Sequence, residues 1–107
     1  NAPNANGTEV YYADSNNGNA YGTTSEKLAT NILNRMLYYM GSTNRGVKTA
    51  EHAVTKRCEM PAALTEVGFI TNPTEVYNMT TDEYQYKAAQ GIAEGIMITL
   101  KDINVPQ

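Results

Sequence analysis

The sequence of 107 residues predicts an α/β domain, in which helices flank a mostly parallel sheet. Two observations lead to this prediction. First, segments typical of strands alternate along the chain with segments of helical hydrophobic periodicity. Second, the run Ala62–Ile70 is nearly all apolar, as in a strand buried on both faces of a parallel sheet. Two or three strands with two long helices would leave sheet edges exposed, so we expect an incomplete portion of a larger sheet.

The first strand and the first helix have clear boundaries in the sequence. The β-branched and aromatic run Thr8–Ala13 predicts a strand. A helix is predicted over residues 24–40, because Thr23 and Glu26 fit a capping box and Gly41 fits a C-terminal stop. Its apolar residues recur at helical spacing: Leu28, Ala29, Ile32, Leu33, Met36, Leu37 and Met40.

The middle of the chain is less regular. Residues 42–48 are polar and contain a glycine, which favours a connection. Residues 50–57 are ambiguous between a strand and a short turn of helix. Residues 74–78 favour a short helix or a turn.

The last helix is predicted to begin near Thr80, where Glu83 completes a second capping-box pattern. Gly91 and Gly95 lie four residues apart on one side of this helix. Glycine lowers the stability of a helix interior, so we expect close packing there against a sheet or another helix.

Composition excludes several classes of function. Eight Lys and Arg against eleven Asp and Glu give a formal charge of -3, so we expect no binding of nucleic acid or of an anionic membrane surface. No apolar stretch approaches the roughly 20 residues of a membrane-spanning helix, so no membrane insertion is expected. Because Cys58 is the single cysteine and His52 the single histidine, the chain cannot assemble a four-ligand Cys/His zinc site.

Glu66 is the first candidate for chemistry. It is a lone carboxylate near the C-terminal end of an apolar run, and ligand sites in α/β sheets gather at the carboxyl ends of strands. A carboxylate in that place can serve as a general base. A salt-bridged or edge-facing glutamate is the alternative, and the pattern alone leaves both open.

The segment Asn44–Lys48 is the second candidate. Arg45 and Lys48 flank a glycine, and a guanidinium binds a carboxylate through two hydrogen bonds. This pattern is suited to gripping an acidic substrate group. The alternative is a solvated loop that follows a helix.

Three blocks in order carry a resemblance to one family. They are Gly7–Tyr12, Asn44–Lys48 and Met60–Asn72, the last with the specific pattern Pro-Ala-x-Leu-x-Glu-x-Gly-Phe. With them the sequence resembles the zinc-dependent N-acetylmuramoyl-L-alanine amidases of bacterial cell-wall hydrolysis.

This resemblance implies an enzyme that cleaves the amide between N-acetylmuramic acid and L-alanine of the peptidoglycan stem peptide. It implies that Glu66 is the catalytic carboxylate, which takes the proton of the attacking water and later protonates the leaving amine. We assign substrate binding to Asn44 and Arg45. An enzyme of this kind works in the cell wall outside the cell, or serves phage lysis.

In this family one Zn²⁺ is held by two histidines and a glutamate. The resemblance implies that these ligands lie upstream of Asn1 and that His52 matches none of them. We therefore expect residues 1–107 to be the C-terminal portion of one catalytic domain. Alone it would be inactive, and it would pair with the missing N-terminal half or with a second copy. The alternative is a metal-free amidase remnant that binds peptidoglycan or a partner without cutting it.

Overall fold

A computed structural model of the chain describes residues 5–17 and 22–103. Within these residues the strands are β1 (Thr8–Tyr12), β2 (Asn44–Thr49) and β3 (Leu64–Glu66). The helices are α1 (Ser25–Met40), α2 (Ala53–Lys56), α3 (Pro73–Met79) and α4 (Asp82–Lys101). A single 3₁₀ turn covers Asp14–Asn16. None of the helices in the described part is long and apolar enough to cross a membrane.

The three strands form one sheet in the order β2-β1-β3, with β1 in the centre. The α/β class is therefore confirmed. The directions of the strands differ from the expectation of a mostly parallel sheet: in the described residues β1 runs parallel to β2 and antiparallel to β3.

The expectation of a long, doubly buried parallel strand over Ala62–Ile70 is wrong, because β3 is only three residues long and is half-buried or exposed. The ladder ends at Glu66 because other groups take the next backbone partners. The Thr8 hydroxyl donates to the Val67 carbonyl at 3.0 Å, and the Phe69 N–H donates to the Glu75 carboxylate at 2.8 Å.

The expectation of a connection over residues 42–48 is also wrong, since β2 begins at Asn44. The glycine that suggested a loop is instead part of an irregular strand. Gly46 has φ +91°. An isolated glycine inside a strand often marks a bulge, and the register of β1 and β2 shifts between Thr8 and Val10. For residues 50–57 the helical alternative holds, as α2. For residues 74–78, where a short helix or a turn is expected, the helix is observed as α3.

Both long helices begin one residue later than their predicted caps. The Thr24 and Thr81 side chains accept the N–H groups of Lys27 and Tyr84, at 3.1 and 3.3 Å. Each helix is preceded by two consecutive threonines, and the second of them, Thr24 or Thr81, has the extended backbone that a cap requires. Gly41 ends α1 in the left-handed conformation, as expected.

The core lies between one face of the sheet and the two long helices. It contains Val10, Tyr12, Ala29, Ile32, Leu33, Met36 and Ala88. The close packing expected at Gly91 and Gly95 is confirmed, because a Cβ at Gly91 would lie 2.5 Å from the Cα of Met36 and one at Gly95 would lie 2.6 Å from the backbone nitrogen of Ile32. The two glycines thus let the backbones of α1 and α4 touch.

Candidate active site

The sheet has a polar face opposite the core. Along β1, Val10 and Tyr12 belong to the core, so Glu9 and Tyr11 point to the other side. Residues directly opposite each other in a ladder share a face, and Glu9 pairs with Glu66. We define the polar face as Glu9, Tyr11, Arg45, Lys48 and Glu66.

The bulge in β2 explains how Arg45 and Lys48 reach the same face. In a regular strand residues three apart point to opposite sides. Thr8 pairs with Asn44, but Val10 pairs with Val47, so β2 holds one extra residue in this interval. That extra residue changes the alternation, and both cations then meet one carboxylate.

Glu9 is the centre of the polar face and is only 5 % exposed. Its Oε1 accepts hydrogen bonds from Arg45 Nε at 2.9 Å and from Lys48 Nζ at 2.8 Å. Its Oε2 accepts the Tyr11 hydroxyl at 2.5 Å. Burial by itself raises the pKa of Glu9, but the hydrogen bonds from Lys48, Tyr11 and Arg45 outweigh it and hold the pKa at about 2. Glu9 is therefore ionised at neutral pH.

Tyr11 connects the Glu9 cluster to His52, the residue that precedes α2. The hydrogen bond to the Glu9 carboxylate, together with burial and the negative charge of Glu66, raises the pKa of the Tyr11 hydroxyl. Tyr11 thus stays protonated and keeps donating to Glu9. The His52 ring packs edge-on against Tyr11, with 5.3 Å between the ring centroids. Its Nδ1 is buried and has no hydrogen-bond partner among the described residues.

The two residues assigned to substrate binding have different surroundings. The Arg45 guanidinium stacks over the Phe69 ring, with 4.6 Å from Cζ to the centroid, and its side chain is 34 % exposed. It is therefore held from two sides, by Glu9 and by Phe69. Asn44 is exposed at the start of β2, where its Oδ1 accepts the N–H of Gly46 at 2.8 Å. That bond supports the bulge.

Glu66 is the last residue of β3 and is exposed. It takes part in none of the ion pairs between the described residues. The two carboxylates that face each other across the β1–β3 ladder are thus unlike: Glu9 is buried and fully engaged, whereas Glu66 is open to solvent.

The described residues do not form the zinc site that the resemblance implies. Residues 5–17 and 22–103 contain no group of three His, Cys, Asp or Glu side chains that could hold a metal ion. Asn1 and Ala2, where the resemblance places the end of a zinc-histidine motif, lie outside the described residues.

A family model of N-acetylmuramoyl-L-alanine amidases matches residues 1–97 of the chain. The chain belongs to this amidase family. N-acetylmuramoyl-L-alanine amidase LytC of Bacillus subtilis is 37 % identical over 90 residues, which are 84 % of this chain and 17 % of LytC. The endolysin of Bacillus phage SPP1 is 35 % identical over 95 residues, which are 88 % of this chain and 35 % of the endolysin.

Solved amidase structures share the fold. N-acetylmuramoyl-L-alanine amidase AmiC2 of Nostoc punctiforme superposes with a TM-score of 0.81 at 33 % identity, over 94 % of this chain and 52 % of AmiC2. The chain thus spans about half the length of this solved relative, and less than half of the curated relatives it matches.

Sequence reasoning singled out Glu66 and Arg45 but missed Glu9 and Tyr11. The signal was present in the run Thr8–Tyr12, where period-two alternation puts Glu9 and Tyr11 together on the side away from Val10 and Tyr12. The catalytic role of Glu66 and the substrate-binding roles of Asn44 and Arg45 stay predictions.

Proposed function

We propose that the enzyme containing this chain hydrolyses the amide between N-acetylmuramic acid and L-alanine of the peptidoglycan stem peptide. One observation carries the proposal: in a chain of the amidase family, the structure presents Glu66 as an exposed carboxylate on the same face of the sheet as Arg45 and Lys48, the two cations that Glu9 holds in place. The cell wall, reached from outside the cell or during phage lysis, is the proposed place of action.

The chemistry divides between the two facing carboxylates. A general base has to be free to take a proton from water and to return it to the leaving amine. Glu9 is unsuited, because three donors hold it ionised with a pKa of about 2. Glu66 takes part in no ion pair among the described residues and is open to solvent, so we assign it both proton transfers.

Substrate binding follows from how Arg45 is held. Its Nε donates to Glu9, which leaves the two terminal amino groups of the guanidinium for a carboxylate of the stem peptide. The Phe69 ring beneath fixes the plane of the guanidinium. Asn44 keeps its side-chain NH₂ for the same substrate, because only its Oδ1 is used by Gly46.

We further propose that the whole enzyme depends on zinc, whose ligands lie outside the described residues. Those ligands would come from an N-terminal half that pairs with this chain. The proposal is supported by length, since this chain covers only 52 % of the solved amidase AmiC2. Residues 1–107 alone would then be inactive. A second copy of the chain is the other candidate for pairing.

The test is Glu66→Gln in the full-length enzyme, assayed by release of free L-alanine amino groups from purified peptidoglycan. The substitution keeps the shape of the side chain and removes the base, so we expect activity to fall by about a thousandfold. Glu59→Gln is the matched control, because Glu59 is an exposed carboxylate in the preceding loop. It should retain full activity, and both variants should keep the circular dichroism spectrum of the wild type.

Three outcomes would count against the proposal. Activity of Glu66→Gln near that of wild type would remove Glu66 as the base. A wild-type enzyme that binds insoluble peptidoglycan without freeing L-alanine amino groups would favour the binding module instead. Zinc quantified on the same samples should be stoichiometric in the full-length enzyme and missing from residues 1–107, and equal zinc in both would refute the assignment of the ligands.

A further inference from the structure

Glu75 is a buried carboxylate that the proposed chemistry does not use. It lies in the first turn of α3 and is 8 % exposed. A glutamate three residues after an asparagine cap resembles a capping box, in which the glutamate would accept the N–H of the cap residue. Here the N–H of Asn72 donates to the Phe69 carbonyl instead, at 3.0 Å. The cap does not need the side chain of Glu75, because Asn72 Oδ1 already accepts the backbone N–H groups of Thr74 and Glu75.

The carboxylate of Glu75 reaches two backbone groups elsewhere in the fold. Oε2 accepts the N–H of Gly7 at 2.9 Å, and Oε1 accepts the N–H of Phe69 at 2.8 Å. Gly7 immediately precedes β1, and Phe69 follows the end of β3 by three residues. The side chain of Glu75 therefore ties the start of the central strand β1 to the segment that follows Glu66 in the chain. We call this pair of hydrogen bonds the clamp.

This clamp is placed where the ladder stops. Glu66 is the last residue of a strand with only three register pairs to β1. Beyond it, the backbone is held by the Thr8 hydroxyl on the Val67 carbonyl and by Glu75 on the Phe69 N–H. The same bond also fixes Phe69, on whose ring Arg45 stacks. Glu75 thus acts on both sides of the site, through Glu66 and through Arg45.

Gly68 shows that this approach is tight. A Cβ at Gly68 would lie 3.3 Å from Glu75 Oε1 and 3.3 Å from Met79 Sδ. Such contacts force the neighbour to give way by a few tenths of an ångström. The glycine between Val67 and Phe69 therefore leaves room for the carboxylate to reach the Phe69 N–H.

We propose that Glu75 is a positioning residue, whose carboxylate sets the place of Glu66 and of the Phe69–Arg45 stack by clamping Gly7 to Phe69. The proposal rests on the function proposed above, in which Glu66 is the base. A carboxylate suits this task because both of its oxygens are acceptors, and hydrogen bonds to a charged acceptor are strong. A glutamine offers one oxygen and one NH₂ group, so one of the two backbone N–H groups would face a donor.

The test compares Glu75→Gln, Gly68→Ala and Thr99→Val in the full-length enzyme, well below their melting temperatures. Gly68→Ala keeps the carboxylate but displaces it, and it decides the question if Glu75→Gln does not fold. Thr99→Val is the matched control for lost stability. Thr99 is buried, accepts from Asn31 and donates to Gly95 between α1 and α4, away from Glu66.

We expect kcat of Glu75→Gln to fall about 30-fold, since sub-ångström misplacement of a base costs turnover, and KM to rise about threefold, since the Arg45 guanidinium loses part of its support. Gly68→Ala should show the same pattern with a smaller loss, and Thr99→Val should keep kcat. In ¹⁵N-labelled protein, the amide signals of Glu66 and Phe69 should move in the first two variants only. Wild-type kcat in Gly68→Ala and Glu75→Gln, or an equal loss in Thr99→Val, would overturn the proposal.

The outcome for Glu66→Gln separates this inference from the proposed function. If Glu66→Gln is inactive and Glu75→Gln turns over normally, the positioning role fails and the proposed function stands. If Glu66→Gln stays active, the proposed base fails, and unmoved Glu66 and Phe69 amide signals in Glu75→Gln would then also refute the clamp.

Discussion

The two faces of the central strand are held in different ways. On the core side, Val10 and Tyr12 pack under α1, and α1 and α4 meet through glycines that allow backbone contact. On the polar face, one buried carboxylate, Glu9, gathers two cations and a tyrosine hydroxyl. The first face depends on shape, and the second depends on charge.

This difference determines what each face tolerates. At the close-packed contact between α1 and α4, any added side-chain volume lowers the stability, whatever the polarity of the group and whatever the pH. A charge cluster tolerates changes of volume better, but it responds to pH and to the loss of one charge. The following variants test this contrast from the largest expected effect to the smallest.

The core face should be broken by a single methyl group. In Gly95→Ala the new Cβ would lie 2.6 Å from the backbone nitrogen of Ile32, and backbone cannot move aside as a side chain does. We expect the free energy of unfolding to fall by about 4 kcal/mol, at the upper end of overpacking effects. The measurement is urea denaturation at pH 7 and at pH 3, with a similar loss at both.

Met97→Ala is the control for this prediction, because Met97 lies on the same helix and is exposed. It should change the stability little. A Gly95→Ala protein as stable as the control would show that α1 and α4 can separate without cost.

The polar face should instead show a loss that depends on pH. The pKa of Glu9 is lowered from 4.5 to about 2, so its stabilising effect is complete above pH 4.5 and disappears as the pH falls through about 2. At pH 7, Glu9→Gln should lower the free energy of unfolding by about 2 kcal/mol. The difference between wild type and variant should shrink below pH 4.5 and vanish near pH 2.

Glu94→Gln is the matched control, since Glu94 also binds an arginine and a tyrosine but in a more exposed place. Its effect should be smaller than that of Glu9→Gln. A loss in Glu9→Gln that is the same at pH 7 and pH 2 would mean that packing, not charge, holds the polar face.

The same contrast explains what the sequence could predict. The core face follows from local patterns in the sequence. Hydrophobic periodicity and capping residues predict α1 and α4, a β-branched run predicts β1, and two glycines inside a helix predict the close contact at Gly91 and Gly95. Glu66 and Arg45 came from local pattern and from the family resemblance. The cluster around Glu9 depends on register between strands far apart in the chain, which hydrophobic periodicity does not encode.

Two errors have the same origin. Residues 42–48 are expected to be a connection because they are polar and contain Gly46, and β3 is expected to be long because its run is apolar. In both cases contacts between distant parts of the chain determine the secondary structure. The bulge lets β2 pair with β1, and Thr8 and Glu75 bind the backbone groups of Val67 and Phe69 that would have extended β3. Local preference is a weak guide where a distant side chain competes for the backbone.

The bulge itself provides the smallest and most specific test. Gly46 has φ +91° and open space around its missing Cβ, so Gly46→Ala adds backbone strain of about 1 kcal/mol without a clash. Gly41→Ala is matched to it, since Gly41 has φ +65° and is equally open, but it ends α1. Both variants should lose similar stability. Only Gly46→Ala should raise KM for peptidoglycan, because relief of the strain straightens β2 and turns Arg45 or Lys48 away from Glu9. An unchanged KM would show that the bulge is not what holds the two cations on one face.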